Sequence, residues 1–138
     1  MKETFIIDAC ALIAYFKKET GFETLIQIFD QASDGKISIL MHKINLLEVY
    51  YGFYRDDGKD NAESVLEDSL TLPITYIDDL GNTFFKEAGR LKAIYDISFA
   101  DSFALALSST RGEALITADH HEFDIIEQKE TIKFNWFR

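Results

Sequence analysis

The sequence predicts an α/β fold, a parallel sheet covered by helices on both faces. Three observations carry that expectation. Short apolar runs (TFIIDA, ISILM, ITYI, ALIT and IKFNWF) recur along the chain, rich in β-branched and aromatic residues. Between them lie longer stretches whose apolar residues return at helical spacing. Such alternation is the pattern of strands joined by crossover helices. No repeat, linker or low-complexity segment divides the 138 residues, so residues 1–138 are expected to form one domain.

The elements follow in order. Residues 4–9 form a buried strand that ends on the acid Asp8, and CALIAYFKKE continues as a short helix. GFETLIQIFDQASDG sets Phe22, Leu25, Ile26 and Phe29 on one helical face and stops at Gly35. After the strand ISILM, residues 43–55 are helical up to the charged break DDGKD, and NAESVLEDSL is an amphipathic helix closed by Pro73. ITYI is a strand, and the two acids of DD cap a helix running to about Tyr95. SFADSFALALSST opens on Ser98 and stops at Gly112, and ALIT is the next strand. DHHEFDII reads as a loop and short helix, and IKFNWF as the last strand.

Composition narrows the class. With 47% hydrophobic residues, twelve of them Phe, the chain can fill a core and is not a disordered segment. The opening MKET lacks a basic n-region, Asp8 interrupts the apolar run, and no stretch reaches membrane-spanning length. A single cysteine leaves no internal disulfide, which suits a reducing compartment; the cytoplasm is expected. The formal net charge of −10 argues against a general nucleic-acid binder, since phosphate contacts need Lys and Arg. It gains meaning only if several acids share one place.

Four acids have apolar neighbours: Asp8 at the end of the first strand, Glu48 in NLLEVYYG, Asp101 in SFADSFALALS, and Asp119 just after ALIT. Each has an ordinary structural reading. Asp8 and Asp119 suit the N-caps of the following helices, Asp101 stands three residues after Ser98 in a capping-box-like start, and Glu48 suits a solvated helix edge. The fold offers a second reading that joins them. Ligands of an open α/β sheet bind outside the carboxyl ends of its strands. Asp8 and Asp119 lie at such ends, Asp101 near the start of a helix leaving that edge, and Glu48 on a helix that need only cross beside it. Carboxylates gathered there repel one another and take up protons or a cation. An all-oxygen donor set suits a hard ion such as Mg²⁺ or Mn²⁺.

The ordered motifs FIIDAC, NLLEVYYG, FADSFALALS and LITADHHEFD resemble those of the PIN-domain nucleases, and of their VapC-type toxins in particular. The similarity spans essentially the whole chain. It implies a three-layer α/β/α sandwich with a mainly parallel sheet and an Mg²⁺- or Mn²⁺-dependent endoribonuclease activity, toxin half of a toxin–antitoxin pair. Carried over by motif, the metal-binding and catalytic acids are Asp8, Glu48, Asp101 and Asp119. Thr117 matches a small hydroxyl residue common two positions before the last acid. Cys10 departs from the pattern, standing where Ser, Thr or Asn is frequent, and a thiol is a poorer hydrogen-bond partner. The resemblance further implies a homodimer and a small antitoxin whose tail lies across the site.

The remaining candidates are weaker. Lys86 and Arg90 share a helix face and Lys43 precedes the Glu48 helix, so these three are candidate contacts to RNA phosphate as well as plain surface residues. His120 and His121 have no nearby Cys to complete a zinc site. Cys10 has no partnered base and reads as a small buried side chain. A phosphoaspartate enzyme would want a second Asp two residues after the first, and that position is Cys10. Aromatics crowd residues 49–54, either filling the core or forming an interface. An alternative to catalysis stays open: a catalytically weak PIN-like module that docks RNA or a protein.

Overall fold

In the computed structural model, which describes residues 2–138, strands and helices alternate as expected. The order is β1 (Glu3–Ile7), α1 (Ala9–Lys17), α2 (Phe22–Ser33), β2 (Ile37–His42), α3 (Lys43–Asp57) and α4 (Lys59–Thr71), followed by β3 (Thr75–Ile77), α5 (Asn82–Ile94), α6 (Phe99–Arg111), β4 (Ala114–Thr117), α7 (His120–Lys129) and β5 (Phe134–Trp136). The strands form one sheet in the order β3-β2-β1-β4-β5. Every pairing is parallel, so the sheet is wholly rather than mainly so. All five carboxyl ends therefore lie along one edge, and the strand order reverses direction at β1 and β4.

Side-chain alternation divides the core in two. Ile6 pairs level with Leu40 and Leu115, and all three point to one face. There they meet Phe84 and Leu91 of α5, Phe103–Leu107 of α6, and Phe123 and Ile126 of α7. Ile7, Ile39, Met41 and Ile116 point the other way, against Leu12, Leu25, Phe29, Val49, Phe53 and Val65 of α1–α4. This is the three-layer sandwich, and the period of two within each strand creates it. Completely burying a Leu or Phe contributes about 1.5–3 kcal/mol, so both cores hold β1 in place.

Local signals set most boundaries. Ser98 caps α6, its hydroxyl accepting from the Asp101 N–H at 3.1 Å, and Gly112 ends the helix in the left-handed region at φ 67°. Three expectations need correction. The acids Asp78 and Asp79 do not cap α5: Gly81 is its N-cap, and the Asp79 carboxylate instead accepts from the Gly81 N–H at 2.6 Å. A loop does not precede α7, which starts directly after Asp119 and extends to Lys129. The first strand stops at Ile7 because Asp8 already caps α1.

At Gly21, φ is +95°, and a Cβ there would stand 2.6 Å from the Phe137 ring and 2.8 Å from its carbonyl oxygen. Only glycine lets the turn between α1 and α2 approach the chain's last residues so closely.

Candidate functional site

Asp8 stands at the carboxyl end of the central strand and is 1% exposed. Its Oδ1 accepts from the Ala11 N–H at 2.9 Å, capping α1. Its Oδ2 accepts from the Thr117 hydroxyl at 2.5 Å, across 109 residues of chain. Thr117 ends β4, the neighbouring strand, and its oxygen in turn accepts from the Asp119 N–H at 3.1 Å. Asp119 caps α7 by accepting from the Glu122 N–H at 3.2 Å. One buried hydroxyl thus ties the first acid to the backbone of the last. The capping reading of Asp8 and Asp119 holds, and the two acids also share the point where the strand order reverses.

Glu48 and Asp101 approach the same space from α3 and α6, both half-buried. Burial pushes Asp8 up to about 7, with the Thr117 and Ala11 hydrogen bonds pulling it back and Asp119 and Glu48 adding repulsion. Asp101 is pushed to about 7 by burial and then by the charges of Asp8, Glu48 and Asp119. Glu48 is raised by burial and by Asp119. Asp8, Glu48 and Asp101 are thus each raised in part by the charge of other acids of the set. Oε1 of Glu48 is buried without a hydrogen-bond partner.

A buried, partnerless carboxylate oxygen among mutually repelling acids is a donor set suited to a hard divalent cation. Among the described residues, no three His, Cys, Asp or Glu side chains stand ready-placed around one ion.

Cys10 is half-buried, and burial followed by the charge of Asp8 pushes its thiol up to about 12. It is a neutral group beside the acids rather than a thiolate nucleophile. His120 stacks on Trp136 at 3.9 Å, and its ring nitrogens lie 2.8 Å from Asp124 Oδ1 and 2.9 Å from the Arg138 carbonyl. Its place is structural, and His121 points into solvent.

The three basic candidates fare differently. Lys43 is exposed at the first position of α3, at the sheet's carboxyl edge, and Lys86 is exposed on α5. Arg90 is engaged with Glu87 and Glu130, each at 2.7 Å, with Tyr95 also donating to Glu130 and Ser109 to Glu87. In the aromatic run, Phe53 is buried and Tyr50 half-buried, while Tyr51 and Tyr54 stay exposed. Core and surface both claim part of it.

Two residues near the site carry no distinctive signal in the sequence. His42 caps α3, Nδ1 accepting from the Ile44 N–H at 3.1 Å while Nε2 donates to the Asp79 carbonyl at 2.9 Å. Asn45 is fully buried and donates from Nδ2 to the Ala100 carbonyl at 3.0 Å. The spacing Asn45-x-x-Glu48 puts both on one helix face, a pattern readable only once an acid at 48 is of interest.

A wholly parallel α/β sheet, with Asp8 and Asp119 just past the carboxyl ends of β1 and β4 where the strand order reverses, defines a protein of the open-sheet α/β class. The model of the PIN domain family matches residues 5–128, and the chain belongs to that family. No curated relative matches the sequence. Among solved structures, DNA-bound VapBC from Salmonella typhimurium is similar with a TM-score of 0.74 at 16% identity, covering 100% of both chains. VapBC2 from Rickettsia felis, bound to a fragment of promoter DNA, gives 0.73 at 16% identity, over 96% of this chain and 98% of that one. Mycobacterium tuberculosis VapC20, described as a sarcin–ricin loop cleaving toxin, gives 0.67 at 13% identity over 88% and 94%. At these identities the likeness is one of fold.

Proposed function

We propose that the protein is a Mg²⁺- or Mn²⁺-dependent endoribonuclease, the toxin of a toxin–antitoxin pair acting in the cytoplasm. What supports this reading is the mutual repulsion among Asp8, Glu48, Asp101 and Asp119, together with Glu48 Oε1, buried and partnerless. Family membership supports nuclease chemistry, and the similar VapBC and VapC20 structures support the toxin assignment.

Asp8, Glu48, Asp101 and Asp119 would hold the ion. When bound, the ion activates water for attack on a phosphodiester and offsets charge at phosphorus. Asp8 supplies the fixed point, since its rotamer is set by Ala11 and Thr117. Thr117 keeps the Asp8 carboxylate ionisable by donating to it and anchors the Asp119 backbone in the same contact. Cys10, neutral and half-buried, adds no charge to the crevice wall. Lys43 at the crevice edge is the first candidate to meet RNA phosphate, with Lys86 further along α5. For Arg90 the same role requires phosphate to displace two carboxylates.

A homodimer and an antitoxin belong to the proposal. A cleft between α5 and α6 is lined by Ile44, Phe84, Phe85, Phe99 and Phe103, with Leu80 and Phe85 exposed at its rim. Apolar surface of that kind suits a second copy. No helix among the described residues is long and apolar enough to cross a membrane.

The test is a calorimetric Mn²⁺ titration of wild type and Asp8→Asn, with RNA cleavage measured on the same samples. Binding and cleavage in wild type, both lost in Asp8→Asn, is the expected result. Mn²⁺ binding without cleavage would favour the docking module instead, and no Mn²⁺ response would dissolve the site into caps and surface acids.

A further inference from the structure

Asn45 presents an apparent fault in an otherwise well-satisfied interior. It is fully buried on α3, yet only half of its amide is used. Nδ2 donates to the Ala100 carbonyl on α6 at 3.0 Å, while Oδ1 is buried without any partner. An orphaned buried acceptor is destabilising, and each one in a native structure calls for an explanation. The Ala100 carbonyl lies in the first turn of α6 and has the helix ladder as its ordinary partner. It does not depend on Asn45. An apolar residue such as Leu would fill the same space without stranding an oxygen, so stability gives no reason to keep the amide.

The positions of the two ends of this hydrogen bond supply the reason. Asn45 precedes Glu48 by three residues, one helical turn on the same face of α3. Ala100 is the residue immediately before Asp101. The single Nδ2 to carbonyl contact therefore joins the helix carrying one acid to the helix carrying another, beside both. Apolar packing between α3 and α6 sets their distance but is indifferent to small slides along the axes, whereas a directed hydrogen bond is not.

We propose that Asn45 is a positioning residue of the acidic crevice, pinning α3 to α6 so that Glu48 and Asp101 keep a fixed relation; this rests on the metal-dependent reading above. Partners hydrogen-bonded directly to ligating side chains are worth about 10- to 100-fold in metal affinity; Asn45 acts one step further out, through the backbone, so the low end of that range applies.

The experiment compares wild type, Asn45→Leu and Asn45→Ala in three measurements: thermal unfolding in EDTA, Mn²⁺ affinity by calorimetry, and kcat and KM for RNA cleavage. Asn45→Leu is expected to melt at or above the wild-type temperature, because it removes the orphaned oxygen. It should nonetheless bind Mn²⁺ about tenfold more weakly, with the loss in cleavage falling on kcat rather than KM. Asn45→Ala supplies the same readouts if Leu crowds the site. A folded variant with wild-type Mn²⁺ affinity would overturn the assignment while leaving the nuclease reading intact. Absence of Mn²⁺ binding in wild type would overturn both. Failure of both variants to fold would make Asn45 a structural residue and nothing more.

Discussion

The Thr117 hydroxyl donates to Asp8 Oδ2 at 2.5 Å while accepting from the Asp119 N–H at 3.1 Å, so one side chain serves both acids. Burial drives Asp8 up and this bond opposes it. Thr117→Val keeps the shape and removes the donor, so the Asp8 pKa rises further. Protons compete with the ion for the carboxylate. The pH midpoint of Mn²⁺ affinity is therefore expected to move upward in the variant. An unchanged midpoint, read by calorimetry across pH 5–9, would show that Thr117 does not tune Asp8.

Asp8→Asn is expected to stabilise the ion-free protein. An acid whose folded pKa of about 7 exceeds its unfolded value holds extra protons in the folded state between the two. Stability then falls as pH rises from about 4 to about 7, at about 1.4 kcal/mol for each pH unit crossed. Asn mimics the protonated form, so its advantage over wild type is about 2 kcal/mol or more at pH 8 and shrinks toward pH 4. Urea denaturation in EDTA at both pH values measures it, and a variant less stable than wild type at pH 8 would contradict the buried-charge account.

Lys43 and Arg90 should separate cleanly. Lys43→Ala is expected to weaken RNA binding across sequences and to reduce the salt slope by about 1. Arg90→Met should act on the fold, costing about 1 kcal/mol through loss of its network with Glu87 and Glu130. Glu87 and Glu130 are held below their usual range chiefly by Arg90, so that stabilisation is present above about pH 4.3 and lost as pH falls through the depressed values. A salt slope altered by Arg90→Met and not by Lys43→Ala would reverse the assignment.

Gly21→Ala is expected to cost about 2 kcal/mol or more. The backbone there is in the left-handed region, and the new Cβ meets both the ring and the carbonyl of Phe137. Thermal unfolding would show it, and a melting temperature within a degree of wild type would mean that the chain's last residues yield at no cost.

How much of this is legible in the sequence depends on the range of each interaction. The bounds of α6 are readable because the Ser98 cap and the Gly112 stop are local chemistry. ALIT is readable because its four residues lie between two polar turns. The Asp78–Asp79 pair misleads: Asp79 has the residue type of a cap, but its side chain closes a turn onto Gly81 and its carbonyl serves His42. The length of α7 is hidden because its capping acid is also a candidate ligand, and its exposed polar face resembles a loop. The four acids are visible from strand ends and apolar neighbours. The partner of Asn45 and the distant partner of Arg90 are not, since Ala100 and Glu130 lie 55 and 40 residues away and nothing in the sequence announces those meetings.

The separation of 109 residues between Asp8 and Thr117 also has a meaning in time. A ribosome adds about 5–20 residues each second, so roughly 5–20 s pass between the synthesis of the first acid and that of its hydroxyl partner. Throughout that interval β1 lacks β4 as a neighbour, and Asp8 lacks the hydroxyl that donates to it. A chain interrupted between α6 and β4 already carries Asp8, Glu48 and Asp101, but neither Thr117 nor Asp119. On the proposed reading, the place of β4 in the sheet keeps any copy that stops short of it from acting on RNA.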